Sequence, residues 1–135
     1  LRVKLPHLEA WTQARIANAA GYQARFEAAG LLERVTLPAK GAGRHVYNQY
    51  VIRVGGGHRD AVRETLRAAG VGCAVYYPVP LHQQPCFQGL NTESLRASEA
   101  AALDSLALPI APGLTSSMQD EVVEVMTRAL SGSAA

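Results

Sequence analysis

The chain has 135 residues, 13 of them basic and 11 acidic, for a formal net charge of +2 with the histidines neutral. Hydrophobic residues make up 48% and charged residues 18%, proportions of a soluble globular protein, and the length suits one domain over residues 1–135 with a modest core. Eleven of the basic residues are arginines spread from Arg2 to Arg128 rather than clustered, so charge implies no nucleic-acid and no membrane partner.

Cys73 and Cys86 follow no C-x-x-C spacing, which leads us to expect a reduced, cytoplasmic protein. No apolar run approaches the ~20 residues of a membrane span. The N-terminus lacks a signal peptide's charged-then-apolar order. It also starts at Leu1 without a methionine and opens on a helical pattern, so part of a larger enzyme is expected.

The first element is a long helix from about Pro6 to Gly30, with Leu8, Trp11, Ile16, Ala19, Tyr22 and Phe26 on one broad face. Gly30 is its natural stop. Val35–Thr36–Leu37 reads as a short strand, followed by a loop through Lys40-Gly41-Ala42-Gly43-Arg44. That loop lacks the G-x-x-x-x-G-K-[ST] order and the following helix of a phosphate-binding loop, so a hairpin tip is expected.

His45 to Val54 reads as the best strand, rich in β-branched and aromatic residues. Alternation puts Val46, Asn48, Tyr50, Ile52 and Val54 on one face, with His45, Tyr47, Gln49, Val51 and Arg53 on the other. Gly55-Gly56-Gly57 ends it. His58 to Ala69 is a helix with Ala61, Val62, Thr65, Leu66 and Ala69 as its apolar stripe, stopped by Gly70. Val71 to Tyr77 is a third strand, and a proline-rich loop runs from Pro78 to about Thr92.

Ser98 and Glu99 open a short helix through Leu106, and Ala107 to Ile110 is a brief extended piece. Thr115 or Ser116 caps a last helix with Val122, Val125, Met126 and Leu130 inward, and Asp120 and Glu121 in its first turn. Residues 131–135 form a frayed tail. The fold class is α/β in the sense of an α+β sandwich: a small, mostly antiparallel sheet with helices packed on it.

The segment richest in chemistry is Tyr76-Tyr77-Pro78-Val79-Pro80-Leu81-His82. Its prolines stiffen a loop that can aim two phenol rings and an imidazole into a cleft. Tyrosine offers a flat apolar face with a polar tip, which suits a sugar or nucleotide. An imidazole can bond a hydroxyl or phosphate. His45, Tyr47 and Gln49 share a strand face and could line a groove, and a wet sheet face is the alternative reading. His82 and Cys86 have no further ligands in a recognisable set, so neither a metal site nor a cysteine nucleophile is expected.

Across residues 1–130 the chain resembles the small C-terminal domain of the DegT/DnrJ/EryC1/StrS sugar aminotransferases. Along the first helix the likeness rests on Leu8, Trp11, Arg15, Ala19 or Ala20 and Tyr22. It continues in the polar-aromatic strand from His45 to Arg53, and in Arg59-Asp60 through Val75. It is densest at Tyr76 to His82 with Phe87, Ser98-Glu99 and Leu108-Pro109, and ends on Thr115, Ser116, Met118-Gln119 and Val122.

The resemblance implies the C-terminal domain of an aspartate-aminotransferase-like fold. The parent enzyme would carry an amino group from L-glutamate to a nucleotide-linked keto-sugar on pyridoxal 5'-phosphate held by a lysine of a large N-terminal domain, and would be a homodimer. Neither Lys4, at the head of the helix, nor Lys40, in the glycine-rich loop, suits that role. The chain alone is therefore expected to be inactive and to hold no cofactor. Tyr76, Tyr77 and His82, with His45 and Tyr47 behind them, would form the acceptor side of the cleft, with no catalytic residue of their own. Apolar surface on the first helix would be left uncovered. The rival reading is a free-standing α+β ligand-binding or regulatory module without catalysis.

Overall fold

The computed structural model describes residues 1–87, 89–90 and 93–132. The expected loop end at Thr92 and the tail at 133–135 lie outside these. A turn of 3₁₀ helix at Leu5–His7 leads into α1, Leu8–Ala28, and Gly30 at φ 67° turns the chain out of it. Strand β1 is Val35–Thr36 and β2 is Tyr50–Val54. Helix α2 spans Arg59–Ala68 and α3 Arg96–Asp104, β3 is Ser105–Leu108, and α4 runs Ser116–Ser131.

The sheet has the order β1-β2-β3 and is antiparallel throughout, with Val35 opposite Val54 and Tyr50 opposite Leu108. Tyr50, Ile52 and Val54 turn inward and Arg53 outward, the alternation expected of a half-covered strand. Their side chains meet Tyr22 and Phe26 of α1, Val62 and Leu66 of α2, and Val122, Val125, Met126 and Leu130 of α4 in one apolar core. The α+β sandwich is as the sequence leads one to expect.

The expected strand from His45 begins only at Tyr50. Its partner β3 ends at Leu108 opposite Tyr50, and the next residue is Pro109, which has no N–H to give the ladder. Upstream, Tyr47 takes φ 46° and its amide bonds His45 Nδ1 at 3.0 Å, so alternation fails there: Tyr47 is buried and Val46 exposed.

The strand expected over Val71 to Tyr77 is a single antiparallel bridge, Ala74 to Ala107, closed by two backbone bonds of 3.2 and 2.7 Å. In that register Gly72 would face Pro109, so pairing cannot spread in that direction. Helix α3 starts two residues before Ser98 and stops before Leu106, which lies in β3. Asp120 and Glu121 sit beyond the first turn of α4, where Thr115 Oγ1 caps the helix by accepting the Met118 amide at 3.3 Å.

Helix α1 projects past the core at its start. Thr12, Ala19, Tyr22 and Phe26 are buried, whereas Leu8 and Trp11, from the same broad apolar face, are exposed together with Leu1, Val3 and Leu5. Of the stripe expected on α2, Val62 and Leu66 are buried and Ala61 and Ala69 are not, while Arg59 is.

Where α1 meets α4, Arg25 donates to Gln119 Oε1 at 2.9 Å and pairs with Asp120 at 2.6 Å. Buried Gln119 in turn donates to the Asn18 carbonyl at 3.1 Å. Gly21 lies against this amide, and a Cβ there would overlap Gln119 Oε1. Gly→Ala inside an exposed helix usually gains about 1 kcal/mol. Here displacing a buried amide with two partners outweighs that gain, and Gly21→Ala is expected to cost a net ~1–2 kcal/mol, read as a lower urea midpoint. A stabilised Gly21→Ala would show that Gln119 moves freely.

Candidate functional site

Two turns of 3₁₀ helix, Leu81–Gln83 and Pro85–Phe87, fold the proline-rich loop back on α3. Pro78, Pro80 and Pro85 fix φ at three points, so little loop entropy remains to be lost on ligand binding. Tyr76 and Tyr77 meet edge to face at 5.9 Å, joined by a cis peptide bond, and Tyr77 is the more exposed ring at 71%.

His82 is mostly covered, its side chain 13% exposed, and its Nε2 lies 3.0 Å from Glu99 Oε1 on α3. The same carboxylate accepts the Leu95 amide at 3.0 Å and the Ser94 hydroxyl at 3.0 Å. These donors, His82 first and Ser94 next, hold the Glu99 carboxyl below its ordinary value of 4.5. A carboxylate with a depressed folded value stabilises the fold fully above its unfolded value and loses that contribution as pH falls through the folded one. The Leu95 amide is therefore expected to lose hydrogen-exchange protection below pH 4.5, before the core amides of α4 do. Equal protection at acid and neutral pH would mean that Glu99 does not hold the loop.

Three depressions surround this loop. One of about 410 Å³ is bordered by Asn48, Gln49, Cys73, Tyr76 and Pro109. A second of about 480 Å³ is bordered by Tyr76, Tyr77, Pro80, Gln84 and Ser98. The third, about 420 Å³, lies between His82, Phe87, Leu90, Leu95 and Ser98. Tyr76 separates the first two, and Leu81 and Ser98 belong to the last two. Tyr76 and Tyr77 thus border one depression and His82 the neighbouring one, with Leu81 and Ser98 lining both.

His45 and Tyr47 border none of these depressions. The Tyr47 ring is buried between His45, at 4.0 Å, and Tyr50, at 6.0 Å. Asn48 and Gln49, from the same segment, reach the surface instead. Gln49 was expected to line a groove, whereas the Asn48 amide was hidden on the opposite face of a stretch that reads as regular strand. Glu99 was read only as the start of a helix.

Among the described residues no group of three or more His, Cys, Asp or Glu is placed to hold a metal ion. Among the described residues no helix is long and apolar enough to cross a membrane. Cys73 is half-buried and Cys86 exposed, both as free thiols, and burial pushes the Cys73 thiol up, away from the thiolate form. Lys4 and Lys40 are both exposed. Neither has the desolvated surroundings a Schiff-base amine needs, so the residues of this chain do not fit pyridoxal phosphate as its anchor.

The model of the DegT/DnrJ/EryC1/StrS aminotransferase family matches residues 1–127. A pleiotropic regulatory protein of Geobacillus stearothermophilus is 41% identical over 92% of this chain, which covers 33% of that protein. UDP-N-acetyl-3-dehydro-alpha-D-glucosamine 3-aminotransferase of Acidithiobacillus ferrooxidans is 36% identical over 98% of the chain and 34% of its own length. Among solved structures, Streptomyces venezuelae DesV in complex with a ketimine intermediate superposes with a TM-score of 0.85 at 30% identity, over 94% of this chain and 34% of DesV. The chain spans about a third of the length of these relatives.

Proposed function

Because the chain belongs to the DegT/DnrJ/EryC1/StrS aminotransferase family, we propose that it is the C-terminal small domain of an enzyme that moves an amino group from L-glutamate to a nucleotide-linked keto-sugar. Its part is the acceptor side of the cleft. The observation that carries this reading is the pair of neighbouring depressions, one bordered by Tyr76 and Tyr77 and the other by His82, around a proline-rich loop. Flat rings suit the apolar face of a pyranose, and the imidazole and the Ser98 hydroxyl suit its oxygens. His45 and Tyr47 act behind this surface, holding the segment that presents Asn48 and Gln49. The A. ferrooxidans relative is named for an amino transfer of this kind, and DesV carries a ketimine.

Pyridoxal 5'-phosphate supplies the electron sink for such a transfer. Since Lys4 and Lys40 are exposed, its anchoring lysine belongs to another part of the enzyme, and this chain alone is inactive. The exposed apolar stretch Leu1, Val3, Leu5, Leu8 and Trp11 packs on that part, in a cytoplasmic homodimer. A second reading, a ligand-binding or regulatory module without catalysis, has the name of the G. stearothermophilus relative in its favour.

The test supplies the product of the complete reading frame with pyridoxal phosphate, L-glutamate and a panel of UDP-, dTDP- and GDP-linked keto-sugars, and measures 2-oxoglutarate release. Release is expected from the complete product and not from the 135-residue chain. No release with any acceptor would favour the regulatory reading. A borohydride-reducible adduct mapped to Lys4 or Lys40 would overturn the assignment of the anchor.

A further inference from the structure

We propose that Glu99 is a positioning residue of this site: by accepting the Nε2–H of His82 it fixes the imidazole so that Nδ1 is the hydrogen-bond acceptor offered to a sugar hydroxyl. The inference rests on the reading of His82 as part of the acceptor side, and extends it to a residue on another element and to a particular atom.

The argument starts from the carboxylate. Glu99 takes three donors at once, His82 Nε2 at 3.0 Å, the Leu95 amide at 3.0 Å and the Ser94 hydroxyl at 3.0 Å. Three donors favour the ionised form, and its carboxyl is held low accordingly. An ionised carboxylate only accepts, so the hydrogen between the two side chains sits on His82 Nε2. In the neutral ring the lone pair then lies on Nδ1. That atom has no partner among the described residues.

The surroundings give the free lone pair its value. His82 borders the depression formed with Leu81, Phe87, Leu90, Leu95 and Ser98, where it is the one titratable side chain among the described residues. Beside these apolar side chains a sugar hydroxyl that replaces water at Nδ1 meets a lone pair already held in place. The Leu95 and Ser94 bonds come from the residues leading into α3 (Arg96–Asp104), so the carboxylate is itself held from its own element. The loop is thereby keyed to the helix through the side chain that meets the ligand.

The test has two arms. In the 135-residue chain, long-range ¹⁵N–¹H correlation of the His82 ring is expected to show Nε2 protonated, with its proton slow to exchange. Glu99→Ala is expected to abolish that slow exchange and Glu99→Gln, which still offers Oε1, to retain it. In the complete enzyme, with the best acceptor of the keto-sugar panel, His82→Ala and Glu99→Ala are each expected to raise the acceptor KM about tenfold. The double variant should be no worse than either single one, the glutamate KM should hold, and Glu99→Gln should restore most of the loss.

A protonated Nδ1 or a fast-exchanging Nε2–H in the unaltered chain would overturn the proposal, as would additive losses in the double variant. So would a Glu99→Ala enzyme that loses kcat and glutamate affinity together, which marks a general loosening. If the ring signature holds but His82→Ala leaves the acceptor KM unchanged, the reading of His82 falls and the role of Glu99 with it. If only Glu99→Ala leaves that KM unchanged, the reading of His82 stands and Glu99 positions nothing.

Discussion

Replacing Tyr22 with alanine is expected to cost about 3–5 kcal/mol of folding stability, the range for emptying a buried aromatic site. Tyr22 is fully buried on α1, stacked on Tyr50 of β2 at 5.0 Å and against Phe26 at 6.1 Å. It therefore joins the helix to the middle strand, and neither flank can collapse into the hole without bending an element. Domains of this size have only about 5–15 kcal/mol in total, so Tyr22→Ala should leave a marginal fold.

Its hydroxyl predicts the opposite effect for a smaller change. That oxygen is buried without a hydrogen-bond partner among the described residues, and burial pushes the phenol above its ordinary value. Tyr22→Phe removes an unmet polar group and keeps the ring, so it should be neutral or stabilising by about 1 kcal/mol. Urea unfolding of both variants checks the pair. A Tyr22→Phe protein destabilised by more than about 1 kcal/mol would mean that the hydroxyl bonds an ordered water whose loss is felt.

The parts legible in the sequence are those whose signal is local. Tyr50, Ile52 and Val54 alternate because β2 has one covered face, and α4 shows its stripe of Val122, Val125, Met126 and Leu130 because a surface helix buries only one side. The junction of α3 and β3 was misplaced because nothing punctuates it. The run from Ala100 to Leu108 contains neither glycine nor proline, and all four residues of β3 are buried, so no alternation appears. The strands expected at His45 and Val71 are both cut short toward Pro109, at the end of their shared neighbour, a non-local limit, and the His45 segment also turns locally at Tyr47.

The same division holds at the site. The tyrosines, prolines and histidine of the loop lie together in the chain and could be picked out. Glu99 is 17 positions from His82, and their meeting depends on the loop folding back on α3. Trp11 and Leu8 share the apolar face of α1 and yet lie exposed, because spacing gives a helix face without saying where the core ends.

Arg59 lies off the apolar stripe expected of α2, and its burial leads to the other large expected effect. Its Nη1 donates to the carbonyls of Ala102 and Ser105, each at 3.2 Å, at the point where α3 becomes β3. Its Nε is 2.9 Å from Asp60 Oδ1, near enough for charge attraction though off the hydrogen-bonding direction. The guanidinium thus satisfies carbonyls that the end of α3 leaves open, from across the fold on α2. Arg59→Met keeps the packed stem but leaves those carbonyls unmet, and is expected to cost about 2–4 kcal/mol. Helix α3 also carries Ser98 and Glu99, so the loss should reach the site: Leu95 should exchange faster in Arg59→Met even where the protein remains folded. Arg59→Lys should recover part of the stability, since one ammonium cannot copy the planar fork. An Arg59→Met protein as stable as the parent, with Leu95 equally protected, would show that the α3–β3 junction holds itself and that Arg59 is buried without consequence for the site.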